Sequence, residues 1–295
     1  MDTCNKISKY MNKVGYECRV MGVPKTIDND LAGTDHCPGF ASAAKYIATS
    51  VMEVSRDCHV YDTGMVTIIE CMGRHAGWLT AAAALAGVKG DGPDLIYLPE
   101  RDFDMDAFLA DVKRIYNEKK NCIVAVSEGV HYADGTFVSE AKTSGTDGFG
   151  HAQLGGLAAR LADVVKAATG AKVRPIELSL LQRCAAHCAS GTDIAESFMS
   201  GKVAVEEAVA GVTDKMVGFK CTRDENGYKC VPELFDLSIV ANTEKKVPQE
   251  WINEAGNGVT QGFIDYCLPL IQGETGMVKE DGLPRFVHLK RVFAK

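Results

Sequence analysis

The chain has 295 residues, 46% apolar and 24% charged, the composition of a globular protein with room for about two domains of ordinary size. A net charge of −7 argues against a general nucleic-acid or anionic-membrane binder, yet leaves room for an anionic small molecule held by a local cluster of cations. The most apolar run, Leu79 to Val88, is mostly alanine and too short to span a bilayer, and eleven scattered cysteines read as reduced thiols of a cytoplasmic protein rather than as a disulfide framework.

No basic segment followed by an apolar one opens the chain, so no signal peptide is expected. Residues 4–14 place Cys4, Ile7, Tyr10, Met11 and Val14 on one helical face, with Asp2 or Thr3 as N-cap. Glu17 to Val23 reads as a strand that feeds Pro24-Lys25-Thr26-Ile27-Asp28-Asn29-Asp30, a loop with two carboxylates one residue apart. Such spacing lets the two acids serve different partners, although Asp-Asn-Asp is also ordinary turn chemistry. Pro38 suits the first turn of a helix running to about Val54, and Met65 to Cys71 reads as a buried strand. Met72-Gly73-Arg74 follows that strand and precedes an alanine-rich helix, which puts Arg74 at the strand end where open α/β sheets bind ligands.

Asp94 to Leu98 is a further short strand, and Asp104 to Lys120 a helix with acids at its start and lysines at its end. Asn121 to Val126 is a strand ending in Ser127-Glu128-Gly129. Val130 to Phe149 turns polar and glycine-rich, a hairpin or mobile loop, and His151 to Ala168 is amphipathic. Lys172 to Ser179 reads as a strand, followed by Leu181-Gln182-Arg183 and a helix from about Thr192 to Ala210. A hairpin turn is expected at Asp224 to Gly227, a strand at Leu237 to Val240, and a last helix near Val259 to Leu270. Strands alternating with helices indicate a mostly parallel α/β architecture.

No Walker-type loop and no G-x-G-x-x-G occurs. Cys184, His187 and Cys188 lack a second pair at zinc-ligand spacing, and Cys37 beside His36 reads as a packed thiol rather than a nucleophile. Asp28, Asp30, Arg74, Glu128, Arg174 and Arg183, by contrast, all fall at or just after expected strand ends, on segments a doubly wound sheet gathers at one edge. Together they supply carboxylates to take a hydroxyl proton or hold a metal, and cations to hold phosphate, which is what phosphoryl transfer requires.

Pro24 to Asp30, Met72-Gly73-Arg74-x-x-Gly77, Ser127-Glu128-Gly129 and Leu181-Gln182-Arg183 stand in an order that resembles the pyrophosphate-dependent 6-phosphofructokinases, from about residue 1 to the C-terminus. The resemblance implies two doubly wound, mostly parallel α/β domains with the active site in the cleft between them. It also implies Mg2+-dependent transfer of a phosphoryl group from pyrophosphate to the 1-hydroxyl of fructose 6-phosphate, a reversible glycolytic step, in a cytoplasmic homo-oligomer without nucleic-acid or membrane partners. Residues 1–40 with 182–235 would belong to the N-terminal, donor-side domain, 41–181 to the sugar-phosphate domain, and 236–295 to a C-terminal extension packing on both.

On the same resemblance, Asp28 is the general base, and Asp30 lies near the metal and the transferred group. Thr26 hydrogen-bonds the substrate, while Met72, Gly73 and Arg74 line the sugar-phosphate pocket. Glu128 binds sugar hydroxyls, and Arg174 and Arg183 clamp the 6-phosphate. Lys25 marks the donor, since ATP users of the family commonly carry glycine there and an ammonium both neutralises departing phosphate and fills space a nucleotide needs. Two departures stand out. The family's glycine-rich Gly-Gly-Asp/Asn-x-Ser loop would immediately precede the first helix, so the chain is expected to lack that loop, its carboxylate near the metal and the first strands of the N-terminal domain. Met65 stands where many ATP users carry an arginine that reaches a neighbouring subunit. A non-catalytic sugar-phosphate-binding or regulatory subunit and an ATP-dependent enzyme are the alternatives.

Overall fold

The computed structural model describes residues 1–60, 62–139, 156–241 and 243–293. Its centre is a four-stranded parallel sheet in the order β3-β4-β2-β5, made of β2 (Met65–Cys71), β3 (Leu95–Tyr97), β4 (Asn121–Ser127) and β5 (Val173–Glu177). β2 and β4 are buried along their whole length, as strands covered on both faces must be. One face, through Ile69, Ile123, Ala125 and Ile96, packs on α2 (Phe40–Cys58), α3 (Trp78–Ala81) and α9 (Gln261–Cys267). Alternate residues Val66, Ile68, Val124 and Val126 face α4 (Met105–Lys119) and α5 (Leu157–Thr169).

A second, smaller sheet has the order β1-β6-β7, with β1 (Met21–Gly22) parallel to β6 (Lys215–Asp224) and β6 antiparallel to β7 (Gly227–Asp236). The long helix α7 (Gly191–Val209) ties the two halves together. Its Asp193 carboxylate accepts hydrogen bonds from Gly39 N at 2.8 Å and Ser42 N at 3.1 Å, capping the start of α2, while Ser190 caps α7 itself. Among the described residues no helix is long and apolar enough to cross a membrane.

Most expected elements form within a residue or two of their limits, and Asp104 caps α4 through Asp106 N and Ala107 N. Several do not. The strand expected over 17–23 is only two residues long. Pro38 lies in the turn before α2, which begins two residues later and runs to Cys58. The alanine-rich helix is a single α-turn followed by a 3₁₀ stretch over Ala82–Lys89. Residues 237–240 form a short helix, α8 (Leu237–Val240), rather than a strand, and bury Leu237 and Val240 at helical spacing; four apolar-rich residues cannot reveal their own period.

The first helix, α1 (Asp2–Val14), has the expected limits but Met1 as N-cap, without a side-chain cap bond, and a rotated face. Met1 and Cys4 pack toward Leu237 and Val240, and Asn5 and Ser8 are buried, whereas Ile7, Tyr10 and Val14 are exposed. Met65 is a core residue of the sheet. Within the 130–149 stretch, His131 and Phe137 bridge as a hairpin would, while residues 140–155, including the expected start of the helix at His151, lie outside the described residues.

Candidate active site

The Pro24–Asp30 loop is held by its middle. Asn29 is fully buried in the left-handed region, with φ of 57°, a conformation that asparagine tolerates better than most residues. Its amide donates to the Tyr266 hydroxyl at 2.9 Å, and its carbonyl oxygen accepts from Cys37 N at 2.9 Å and Lys245 Nζ at 3.4 Å. The Lys245 amide in turn donates to the Asp30 carbonyl at 2.6 Å. With Asn29 pinned inward, the two flanking carboxylates sit on either side of it, both partly exposed.

Asp28 lies in the field of Arg74 and Arg183, on the side of the larger sheet. Burial raises its pKa, against the Thr26 hydroxyl and the positive charges of Lys25, Arg183 and Arg74. Thr26 shapes this turn, accepting from Asp28 N at 3.1 Å and donating to Asp28 Oδ2 at 3.3 Å. Asp30 belongs to the other side, lining a cavity of about 500 Å³ with Met1, Asp2 and Glu244. Its pKa is raised by burial and then by the charge of Asp28, so the two acids are near enough to repel.

Opposite the loop, the ends of β2 and β4 are tied by one backbone and one side-chain hydrogen bond. Glu128 N donates to Cys71 O at 3.0 Å, and Gly73 N donates to Glu128 Oε1 at 3.2 Å. A Cβ at Gly129 would lie 2.0 Å from Arg74 O, and Gly73, with φ of 141°, has Ala76 O at 2.6 Å from its own Cβ position. Glycine at both positions is therefore what lets the Met72–Arg74 turn and the Ser127–Gly129 turn meet. Glu128 is raised by burial and by the Asp28 charge, and lowered by Gly73 N and by Arg74.

Arg183 lies on a one-turn helix, α6 (Leu181–Cys184), whose Gln182 accepts from Met72 N at 3.3 Å and donates to Ser179 O at 2.9 Å. It is exposed and borders a cavity of about 210 Å³ shared with Ile27, Ser42 and Asp193. Asp28, Glu128, Arg74, Lys25 and Arg183 thus form one electrostatic group. Arg174 does not join it. It is the second residue of β5, exposed, and in register with Thr67, roughly 17 Å along the strand from Met72 at about 3.3 Å per residue. The expected position at a strand end is met at the start of β5 rather than at its carboxyl end.

Three residues that frame the loop escaped the sequence reading: Asn29, Lys245 and Tyr266. Lys245 Nζ also donates to Asp35 O at 2.6 Å and Thr34 O at 3.2 Å, and lies over the Trp78 ring. The signal that could have found them is faint, because Lys245 and Tyr266 are more than two hundred residues from the loop. A roomier cavity of about 530 Å³ lies behind it among Trp78, Trp251 and Tyr266, but its Arg223 and Lys245 are committed to Asp35 and to carbonyl oxygens.

Comparison with known proteins gives a consistent result. The family model described as "PFK: Phosphofructokinase" matches residues 1–206. A pyrophosphate--fructose 6-phosphate 1-phosphotransferase of Halomonas elongata is 44% identical over 293 residues, covering 98% of this chain and 69% of the relative. Its counterpart from Xanthomonas campestris pv. campestris is 47% identical over 296 residues, covering 99% of this chain and 70% of the relative. The crystal structure of a pyrophosphate-dependent phosphofructokinase from Nitrosospira multiformis superposes with a TM-score of 0.86 at 39% identity, covering 97% of this chain and 68% of that one.

Proposed function

The chain belongs to the phosphofructokinase family, and from that membership we propose that it moves a phosphoryl group from pyrophosphate to the 1-hydroxyl of fructose 6-phosphate, giving fructose 1,6-bisphosphate and phosphate. The observation that carries this reading is the charge group around Asp28: a partly buried carboxylate with a raised pKa, facing Arg74, Arg183 and Lys25 and sharing its field with Glu128.

In this reading Asp28 accepts the proton of the sugar hydroxyl as its oxygen attacks. A carboxylate with a raised pKa is the better base for that step. Arg74 and Arg183 supply the positive charge for the 6-phosphate, Arg183 beside its small cavity, and Glu128 with the Met72–Arg74 turn orients the sugar. Thr26 fixes the Asp28 turn. Arg174, on its exposed edge, has no part in the group within one chain. Lys25, exposed at the mouth of the loop, stabilises the departing phosphate and favours pyrophosphate over a nucleotide.

Enzymes of this family generally use a divalent metal ion, and the oxygen-only acids here fit a hard cation. Asp30 is raised by burial and then by the neighbouring charge of Asp28, a repulsion that a bound cation relieves. We assign Mg2+ to Asp30, where it would neutralise charge on the phosphoryl oxygens. The division into residues 1–40 with 182–235, 41–181 and 236–295 is supported by the separation of the two sheets. A cytoplasmic enzyme accords with the eleven free cysteines, and the homo-oligomer follows from the family resemblance alone.

The test is Asp28→Ser in the purified chain. Turnover with pyrophosphate should fall by about 10³-fold, the scale of a lost general base, while calorimetry still detects fructose 6-phosphate binding. Substantial turnover in that variant removes Asp28 from the mechanism. Sugar-phosphate binding without turnover in the unmodified chain would instead favour a non-catalytic binding subunit, and turnover with ATP but not pyrophosphate the ATP-dependent alternative.

A further inference from the structure

The β6–β7 hairpin holds a pair of thiols in an unusual setting. Cys221 on β6 and Cys230 on β7 are directly opposite one another in the antiparallel register. Facing residues in such a pair have Cα atoms roughly 4.5–5.5 Å apart, inside the roughly 4.4–6.8 Å range a disulfide needs. Both are partly exposed, so small reagents can reach them.

Around Cys221 the protein gathers polar groups. His36 Nδ1 lies 3.9 Å from its sulfur, and the Tyr228 hydroxyl, which donates to Glu196 Oε1 at 2.7 Å, lies 3.4 Å from it. His36 is fully buried between two acids, with Nδ1 2.9 Å from Asp35 Oδ1 and Nε2 2.7 Å from Glu196 Oε2. Against the burial that disfavours its charge, those partners hold its pKa up to about 10, so it stands beside Cys221 as an imidazolium. Cys230 foremost, then His36 and Tyr228, lower the Cys221 thiol against the burial that raises it, while Cys230 is raised. Asp35, His36 and Cys221 also lie close enough to suggest a metal site. Asp35, however, spends both oxygens on Arg223 at 2.8 Å each and one of them on His36, so its charge is already met by cations.

We propose that Cys221 and Cys230 form a peroxide-responsive thiol pair, Cys221 the attacking sulfur and Cys230 the resolving one, which closes into a cross-strand disulfide. The Cys221 thiolate attacks one oxygen of hydrogen peroxide, cleaving the O–O bond to give a sulfenic acid and hydroxide, which takes a proton from solvent to become water. The Cys230 sulfur then attacks the sulfenic sulfur; the S–O bond breaks, and the Cys230 proton leaves with that oxygen as a second water. Two thiols are oxidised by two electrons and one peroxide is reduced. Neither residue belongs to the phosphoryl-transfer group, so the chemistry does not depend on that assignment.

The experiment treats the full chain with one equivalent of hydrogen peroxide, blocks remaining thiols with N-ethylmaleimide and maps the peptides by mass. A linked Cys221–Cys230 peptide, 2 Da lighter than the two thiol peptides and reopened by dithiothreitol, is the expected product. At pH 7 Cys221 should alkylate about tenfold faster than Cys184, an exposed thiol that faces only backbone carbonyls and is therefore an internal reference. In Cys230→Ser, dimedone should trap a sulfenic acid at Cys221. Oxidation falling on Cys184 first, linkage of either thiol to a different cysteine, or no dimedone adduct in Cys230→Ser would overturn the proposal.

Discussion

Asn29 separates the two acids of the loop, and its side chain is spent entirely on structure: Tyr266, Cys37 N and Lys245. Asn29→Ala strands those partners in a buried site and should cost about 2–3 kcal/mol, the order of leaving buried polar groups unpaired, measured by urea unfolding. Because the loop loses its anchor, kcat should fall with it even though the side chain touches no substrate. For Asp28 the pH dependence has a definite sign. A base works only when deprotonated, and burial moves its titration upward, so kcat/KM should fall on acidification at a higher pH than an ordinary aspartate allows. Lys25→Gly should lower kcat/KM for pyrophosphate by at least about tenfold, the order expected when a charge-assisted contact of roughly 1.5–3 kcal/mol is lost, and should open room for ATP; unchanged pyrophosphate kinetics would separate Lys25 from donor choice.

At the scale of elements, the site depends on the meeting of two strand ends. β2 and β4 are paired in register from Met65–Asn121 to Cys71–Ser127, so Met72–Arg74 and Ser127–Gly129 emerge side by side. Gly129→Ala puts a methyl into the Arg74 carbonyl and should cost about 3 kcal/mol while raising KM for fructose 6-phosphate, since the turns must part. The Met72–Arg74 and Ser127–Gly129 motifs were legible because each directly follows a strand buried along its whole length. Arg174 was not, because an exposed edge strand that reads Val-Arg-Pro-Ile-Glu gives no sign of where it begins relative to its neighbour. The apolar stripe of α1 misled for a related reason: Ile7, Tyr10 and Val14 are periodic, yet the surface they meet is not specified by the helix itself.

For the whole molecule, one pH-sensitive contribution lies inside the larger sheet. Glu70 on β2 is almost fully buried; its Oε2 accepts from Ala158 N at 2.8 Å, and among the described residues its other oxygen has no partner. Burial pushes its pKa up to about 7, with Glu177 and Glu128 adding to it. The folded state therefore holds this proton more tightly than the unfolded chain does. Stability from Glu70 is fully present below pH 4.5 and is lost as pH rises to about 7, for a total of about 3 kcal/mol. Urea unfolding at pH 5 and pH 8 should show this slope flattened in Glu70→Gln, which keeps the Ala158 bond; an undiminished slope would place the titration elsewhere.

The sequence by itself determined the alternation of strands and helices, the family, and the loops that end in Asp28, Arg74, Glu128 and Arg183, because those signals are local: an apolar run, then a turn, then a charged residue at the turn. Only the tertiary structure decided which charges act together and what holds them. Asn29 turns inward because Lys245 and Tyr266 arrive from the far end of the chain, Arg174 stands apart from the Asp28 group within one chain by its register on β5, and Cys221 meets Cys230 and His36 through a hairpin laid against α7. Contacts between residues so far apart in the chain leave no periodic trace, since nothing in either segment's own pattern depends on the partner it will find.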